Sequence, residues 1–368
     1  MASQAGETPN GTYKPRYVDI GINLSDPIFR GRHHGHQKHP DDLTGVIDRA
    51  RQVGCTKLIV TGSDIKSSQD ALNLAEEYQE HHPDAARSAH AISLLTTVVA
   101  QARSSGQPHM VAMGEFGLDY DRLNYCNRVI QKHSFEAQLR VAASLQPQLP
   151  LFLHSRAAHG DFVAILKGVF GERLESLEKG GVVHSFTGTM EEMEELMDLG
   201  LYIGINGCSF KTEENCRVVK AVRLDRLMME TDGPWCEVRP SHEGYKYLIE
   251  RKAAQAPVEN GTAAPQAAAP EPQAKQPKKQ KNQKKQPEVP DRFKIVKKEK
   301  WEEGAMIKGR NEPCTIERVA QIIAAIKDVS VEESRHPHPS SILAFARRPR
   351  SQLQLIAVFL QRHAGLES

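Results

Sequence analysis

Short apolar runs alternate with amphipathic stretches along most of the chain. In several of the amphipathic stretches apolar residues recur with helical spacing, as in Leu43–Val53, Ser67–Tyr78, Val129–Ser144 and Met190–Leu199. Seven apolar runs have the length and composition of buried strands: Tyr17–Ile22, Lys57–Thr61, His109–Gly114, Pro150–His154, Gly181–His184, Leu201–Ile205 and Arg226–Thr231. Apolar strands separated by helices predict an α/β fold whose parallel sheet is covered on both faces.

Repeated βα units form either an eight-stranded barrel or an open, doubly wound sheet. No G-x-G-x-x-G segment follows any of the predicted strands, so the dinucleotide-binding fingerprint of the doubly wound fold is absent from the sequence. Polar and charged residues cluster at the C-terminal ends of several strands, where barrel enzymes build their sites. We therefore predict a TIM-like (β/α)8 barrel.

The predicted barrel lacks a clear third strand. Between Tyr78 and Gln107 the sequence has a helical character, most clearly at Ala91–Ala102. A missing strand would leave two neighbours with unpaired edges, which is costly in a sheet buried on both faces. The sequence thus predicts seven strands and a defect at the third position.

Composition divides the chain into three parts. Residues 16–250 and 291–333 carry the barrel pattern, and the second range includes a predicted helix at Thr315–Lys327. Residues 251–290 are rich in Ala, Pro, Gln and Lys and predict a disordered insert. Its lysines would bind nucleic acid without sequence preference, solubilise the chain or act as a nuclear-localisation patch. Residues 334–368 form an atypical tail that contains an apolar run near its end.

Bulk composition fits a globular protein and excludes few functions. Hydrophobic residues make up 39% of the 368 residues, charged residues make up 26%, and the formal net charge is +2. The first residues have no apolar segment that resembles a secretory signal, and no apolar run is long enough to span a bilayer. The six cysteines form no C-x-x-C pair, which favours a reduced compartment. We expect a monomer without membrane contact in the cytoplasm, the nucleus or both.

Four side chains able to bind metal follow four different predicted strands. In chain order they are Glu115, His154, His184 and Asp232. Each alone has an ordinary explanation, such as a helix N-cap or an ion pair. A parallel barrel, however, brings all its C-terminal strand ends to one rim, so these four should converge. Mixed carboxylate and imidazole ligands suit Mg²⁺, Mn²⁺ or Zn²⁺, and a bridging carboxylate can hold up to two ions.

Several motifs together resemble the TatD-type deoxyribonucleases, most closely their eukaryotic branch. They occur in the family's order at Asp19–Leu24, Thr61–Gly62, Gly114–Asp121, His154–Arg156, His184–Gly188, Glu230–Cys236 and Lys308–Pro313. The resemblance implies a metal-dependent nuclease acting on DNA, often a 3′→5′ exonuclease. It implies that Glu115, His154, His184 and Asp232 bind the metal. It also implies that Glu115 bridges two ions and that Asp232 orients or deprotonates the attacking water.

Three features depart from the family pattern. Many relatives have His-x-His on the first strand, where this chain has Gly21 and Asn23, a loss shared with the eukaryotic branch. The family's Gly-x-His-Pro motif at the third strand has no counterpart, since His82-Pro83 lies in a polar run. The tail does not match the family's last helix.

Residues near the four candidate ligands are candidates for substrate contact. Arg156 is placed to bind phosphate bidentately, Ser185 and Thr187 to donate hydrogen bonds to it, and Trp235 to stack on a base. Two other functions stay open. One is hydrolysis of a small amide or ester on the same fold, and the other is a non-catalytic relative that binds nucleic acid or protein.

Overall fold

The sheet of this protein is built from strands distant in sequence. The computed structural model describes residues 16–62, 70, 73, 74, 110–249, 292–331 and 353–357. Its main strands are β1 (Tyr17–Ile22), β2 (Cys55–Thr61), β3 (Met110–Asp119), β4 (Leu151–Arg156), β5 (Gly181–Val183), β6 (Tyr202–Ile205), β7 (Leu227–Met229) and β8 (Leu353–Ala357). The helices that follow them include α1 (Leu43–Gln52), α2 (Arg128–Ser144), α3 (His159–Phe170), α4 (Met190–Asp198), α5 (Glu213–Ala221) and α6 (Ile316–Lys327).

These strands form one eight-stranded sheet with parallel pairing throughout, in the order β1-β2-β8-β3-β4-β5-β6-β7. Backbone hydrogen bonds join the two ends of that order. The Asp232 amide donates to the Gly21 carbonyl, and the Asn23 amide donates to the Gly233 carbonyl, each at 2.8 Å. Closure of the sheet satisfies backbone groups that an open edge would expose. The predicted α/β barrel is confirmed.

The prediction that the third strand position is empty was wrong. The strand β8, from the tail, lies between β2 and β3, and pairs Leu353 with Leu58 and Ala357 with Met113. The sequence pattern missed it because the strand follows the others in the chain by more than a hundred residues, while βα order predicts neighbours from consecutive segments. The predicted helical stretch at Ala91–Ala102 and the His82-Pro83 dipeptide lie outside the described residues, as does the predicted insert at 251–290, which stays a prediction.

Two apolar layers form the core. The smaller layer lies inside the barrel, and each of the strands β1 to β7 contributes at least one buried side chain to it. Its members are Ile20, Ile59, Val111, Ala112, Phe152, Val182, Tyr202 and Met228. The larger layer lies between the strands and the helices and includes Phe135 and Phe162, whose rings stack at 5.2 Å. Alternation along each strand separates these layers, so the polar residues at the strand ends are left for the rim.

A buried ion network connects the closing segment of the chain to α1. Arg310 contacts Asp42 at 2.7 Å and Glu312 at 2.8 Å, and Glu312 also accepts from Arg49 at 2.8 Å. All four side chains are buried. The Lys308–Pro313 motif therefore has a structural role: it fixes the last segment of the fold against the first helix.

The position of β8 makes the tail a stabilising element. We expect deletion of residues 350–368 to lower the free energy of unfolding by about 2 kcal/mol or more, because backbone bonds along β2 and β3 lose their partners at a net cost of about 1 kcal/mol each. Urea denaturation followed by circular dichroism measures this. A chain that lacks only residues 358–368 keeps β8 and is the matched control; equal stability of the two truncated chains would contradict the placement of β8.

Candidate metal centre

Glu115 is positioned by the middle of a strand. The prediction that it ends its strand was wrong, because β3 continues to Asp119, whose backbone pairs with Arg156 of β4. The pairing of β3 with β4 continues past the predicted end of each strand, so that the backbone groups there stay hydrogen-bonded. His154 likewise lies inside β4, whereas His184 directly follows β5.

Three predicted ligands meet at one point. The Nδ1 atom of His154 lies 3.0 Å from Nε2 of His184, and that Nε2 lies 2.8 Å from Oε1 of Glu115. The same Oε1 lies 3.3 Å from His154 Nδ1. Of the residues described, these three form the cluster able to hold a metal ion, with ligand atoms within 4.8 Å of one another. Convergence of Glu115, His154 and His184, expected from the barrel rim, is thus observed.

Each histidine has a carboxylate behind it. The Nε2 of His154 lies 3.5 Å from Asp119 Oδ2, and the Nδ1 of His184 lies 3.6 Å from Glu230 Oε2. Carboxylates in this position orient metal-binding imidazoles and select the tautomer whose other nitrogen faces the ion. Glu230 is fully buried and is itself held by the Ser185 amide at 2.6 Å and by Asn206 Nδ2 at 3.1 Å.

The charges around the cluster favour a bound cation. Burial lowers the pKa of His184, but Glu115 and Glu230 outweigh it and raise that pKa well above its ordinary value. Burial opposes ionisation of Glu115, yet His184 and His154 hold its pKa well below the usual range. With no cation bound, a protonated His184 therefore supplies the proton that lets the three ligand atoms lie so close together. A divalent cation displaces that proton when it binds the neutral imidazoles and the carboxylate, so the residues present fit a metal ion.

Asp232, the fourth predicted ligand, is not part of this cluster of three. Its Oδ1 accepts from Asn23 Nδ2 at 3.1 Å, and its Oδ2 accepts from Cys236 Sγ at 3.2 Å. Burial, followed by the charges of Glu230 and Glu115, raises the pKa of Asp232 to about 7 against the opposing effect of His184. Its backbone has a left-handed φ of +52°, a conformation that costs free energy and is found disproportionately at functional sites.

A cavity of about 910 Å³ opens over these residues and is called the metal cavity below. Glu115, His154 and Asp232 line it, together with the predicted substrate contacts Arg156, Thr187 and Trp235. The Arg156 guanidinium lies 3.4 Å from Asp119 and keeps donors for a ligand.

Ser185 is not brought to the metal cavity. Its side chain is buried, and its Oγ accepts a hydrogen bond from Asn206 Nδ2 at 2.9 Å. His159 contacts Glu195 at 2.8 Å and lines a smaller neighbouring cavity.

Comparison with known proteins identifies the family of this chain. The family model described as TatD related DNase matches residues 31–338, more than half of the chain. The chain belongs to the TatD family. A relative called "Deoxyribonuclease Tat-D" from Schizosaccharomyces pombe is 43% identical over 332 residues, which cover 86% of this chain and 91% of the relative.

Two further proteins resemble this TatD protein, one in sequence and one in structure. A "3'-5' ssDNA/RNA exonuclease TatD" from Erwinia tasmaniensis is 37% identical over 228 residues, covering 59% of this chain and 79% of the relative. A crystal structure titled an uncharacterized amidohydrolase from Saccharomyces cerevisiae superposes with a TM-score of 0.67 at 31% identity, covering 87% of this chain and 96% of that one. Curated members of the family are hydrolases that act on ester bonds.

The structure explains how this TatD protein does without histidines on its first strand. A Cβ at Gly21 would lie 2.6 Å from Oε2 of Glu230, so Glu230 occupies the space that a side chain there would need. Asn23 holds Asp232 and accepts from the Thr61 hydroxyl at 2.7 Å. Gly21 therefore leaves room for Glu230 behind His184, and Asn23 supports the predicted ligand Asp232.

Sequence reasoning gave no role to Asp119 and Glu230 in this TatD protein. A signal for Asp119 was available, because residues four apart on a strand share a face and Asp119 follows Glu115 by four. The predicted strand ended at Gly114, however, and only the observed strand, which continues to Asp119, places both carboxylates on one face. Among the described residues no helix is long and apolar enough to cross a membrane.

Proposed function

We propose that this chain is a divalent-metal-dependent deoxyribonuclease that removes nucleotides from the 3′ end of single-stranded DNA. The observation that carries the proposal is the convergence of Glu115, His154 and His184 within 4.8 Å, with Asp232 on the same cavity. The names of the fission yeast and Erwinia relatives support DNA as substrate and 3′→5′ exonuclease action.

In this proposal Glu115, His154, His184 and Asp232 hold the metal, up to two ions. Bound divalent cations supply a water of lowered pKa and neutralise charge on the phosphate oxygens. Asp232 would accept the proton of the attacking water, since its carboxylate lines the metal cavity and burial raises its pKa. Asp119 and Glu230 hold the two imidazoles in their orientation.

Arg156 and Thr187 act on the substrate in the same proposal. Both line the metal cavity, and Arg156 projects from the strand end that carries His154. A guanidinium there donates two parallel hydrogen bonds to a phosphate and fixes the cleaved bond over the cluster. Ser185 has an indirect role, because its backbone amide donates a hydrogen bond to Glu230, the carboxylate behind His184.

Metal dependence is the direct test of the proposed activity. The purified chain, stripped with EDTA, should leave a 5′-labelled single strand intact and should shorten it stepwise once Mg²⁺ or Mn²⁺ is added. A matching oligonucleotide whose last linkage is a phosphorothioate should be cut more slowly. Full activity in EDTA, or none with Mg²⁺, Mn²⁺ or Zn²⁺, would contradict the proposal, and cleavage of a small amide or ester alone would favour the other hydrolase function.

A further inference from the structure

A second cavity, of about 540 Å³, shares Trp235 with the metal cavity and is called the basic cavity below. Apart from Trp235, its walls come from two separate parts of the chain. Arg32 lies in the segment that follows β1, and Lys297, Lys298 and Lys308 lie in the closing segment. The fold thus gathers four cationic side chains beside the metal centre, although Arg32 precedes the three lysines by more than 260 positions in sequence.

The positive charge of the basic cavity is available to a ligand. Arg32, Lys297 and Lys308 are exposed and Lys298 is half-buried; in the described part of the chain none of them forms an ion pair. Two acids also line the cavity, Asp26 and Glu299, so the four cations are in excess. Arg310 reaches it too, but its charge is already balanced by Asp42 and Glu312.

A buried histidine, His33, also lines the basic cavity. Burial, and after it the charges of His39 and Lys298, lower the pKa of His33 to about 4. This imidazole is therefore neutral at pH 7 and adds no cation of its own. The excess of cations gives the basic cavity the sign that suits an anionic chain rather than a metal ion.

Trp235 forms the wall between the two cavities. Its side chain is 57% exposed, which is unusual for so large an apolar group, and its amide is tied to the Asp232 carbonyl at 2.9 Å. An exposed indole held at a fixed place is a stacking surface for a base. A strand with its end at Asp232 would meet Trp235 next and the basic cavity after it.

We infer that the basic cavity binds the phosphodiester backbone of the single-stranded DNA, beyond the nucleotide held at the metal centre. The inference rests on the proposed function and adds the path of the strand: from the metal cavity, over Trp235, and along Arg32, Lys297, Lys298 and Lys308. Recognition is through phosphate charge, so it is independent of base sequence.

Equilibrium binding without metal tests this path separately from hydrolysis. A fluorescent single strand of mixed sequence is titrated with the full chain in EDTA, and anisotropy is recorded at several salt concentrations. The variant Lys297→Ala/Lys308→Ala is compared with Lys179→Ala/Lys220→Ala, which removes equal charge outside both cavities. Thermal melting of each variant verifies that it is folded.

Loss of two phosphate contacts should weaken binding by roughly tenfold or more at moderate salt. It should also reduce the slope of log affinity against log salt by about 1.4, since each contact with a single strand contributes about 0.7. Trp235→Ala should weaken binding and leave that slope unchanged. Equal affinities and slopes for the cavity variant and its charge-matched control would overturn the inference, whether or not the wild-type chain hydrolyses DNA.

An RNA strand of the same sequence forms the second arm of the experiment. Because both backbones carry the same phosphate charge, the cavity variant should lose affinity for DNA and RNA alike. A loss confined to RNA would overturn DNA as the occupant of the basic cavity.

Discussion

Replacement of Glu115 by glutamine should reduce metal-dependent DNA hydrolysis by about a thousandfold, equivalent to about 4 kcal/mol of transition-state stabilisation. Glutamine keeps the size of the side chain but removes the charge that Oε1 places 2.8 Å from His184. Two imidazoles alone bind a hard cation poorly, because carboxylate oxygens are its preferred ligands. Initial rates at saturating Mg²⁺ and DNA measure the effect.

The matched control for this change is Glu172→Gln. Glu172 is exposed and lies away from the metal cavity, so the same loss of one carboxylate should leave the rate within about twofold of wild type, as for most surface substitutions. Comparable rates for Glu115→Gln and Glu172→Gln would remove Glu115 from the site. A decrease in Glu115→Gln that excess Mn²⁺ reverses would instead support its role as a ligand.

Substitution of Arg310 by methionine should cost about 3–5 kcal/mol of the free energy of unfolding. The guanidinium is fully buried and contacts Asp42 and Glu312, and its loss leaves these two buried carboxylates with one cation, Arg49, in place of two. Arg49 remains and still contacts Glu312 at 2.8 Å, which prevents a larger loss. Urea denaturation at pH 7 measures the change.

An exposed arginine provides the comparison for this stability prediction. Arg173→Met alters the same side chain on the surface and should change stability by less than about 0.5 kcal/mol. If Arg310→Met were as stable as Arg173→Met, the ion network would contribute nothing to the fold, and the Lys308–Pro313 motif would need another explanation.

Most of the barrel could be predicted because its signals are local. The period of apolar residues along Tyr17–Ile22 and Gly181–His184 depends only on neighbouring positions, as does the helical spacing of Met190–Leu199. These segments agree with the observed strands and helix to within a residue or two. Convergence of Glu115, His154 and His184 then follows from one rule, that parallel strands end at the same rim.

The features that could not be predicted depend on contacts between distant segments. The pairing of β8 with β2 and β3 is set by an open place in the sheet, which no local pattern encodes. Glu230 gains its role only because β1 has a glycine opposite it, so that the carboxylate fits against His184. The basic cavity likewise arises only when the segment after β1 folds against the closing segment.

Anomalous diffraction from a crystal soaked with Mn²⁺ tests the metal centre most directly. We predict one or two strong peaks within bonding distance of Glu115, His154, His184 and Asp232, with Glu115 touching both ions if there are two. Peaks elsewhere on the surface, with none among these four side chains, would contradict the account of this site and leave a TatD relative without the chemistry proposed for it.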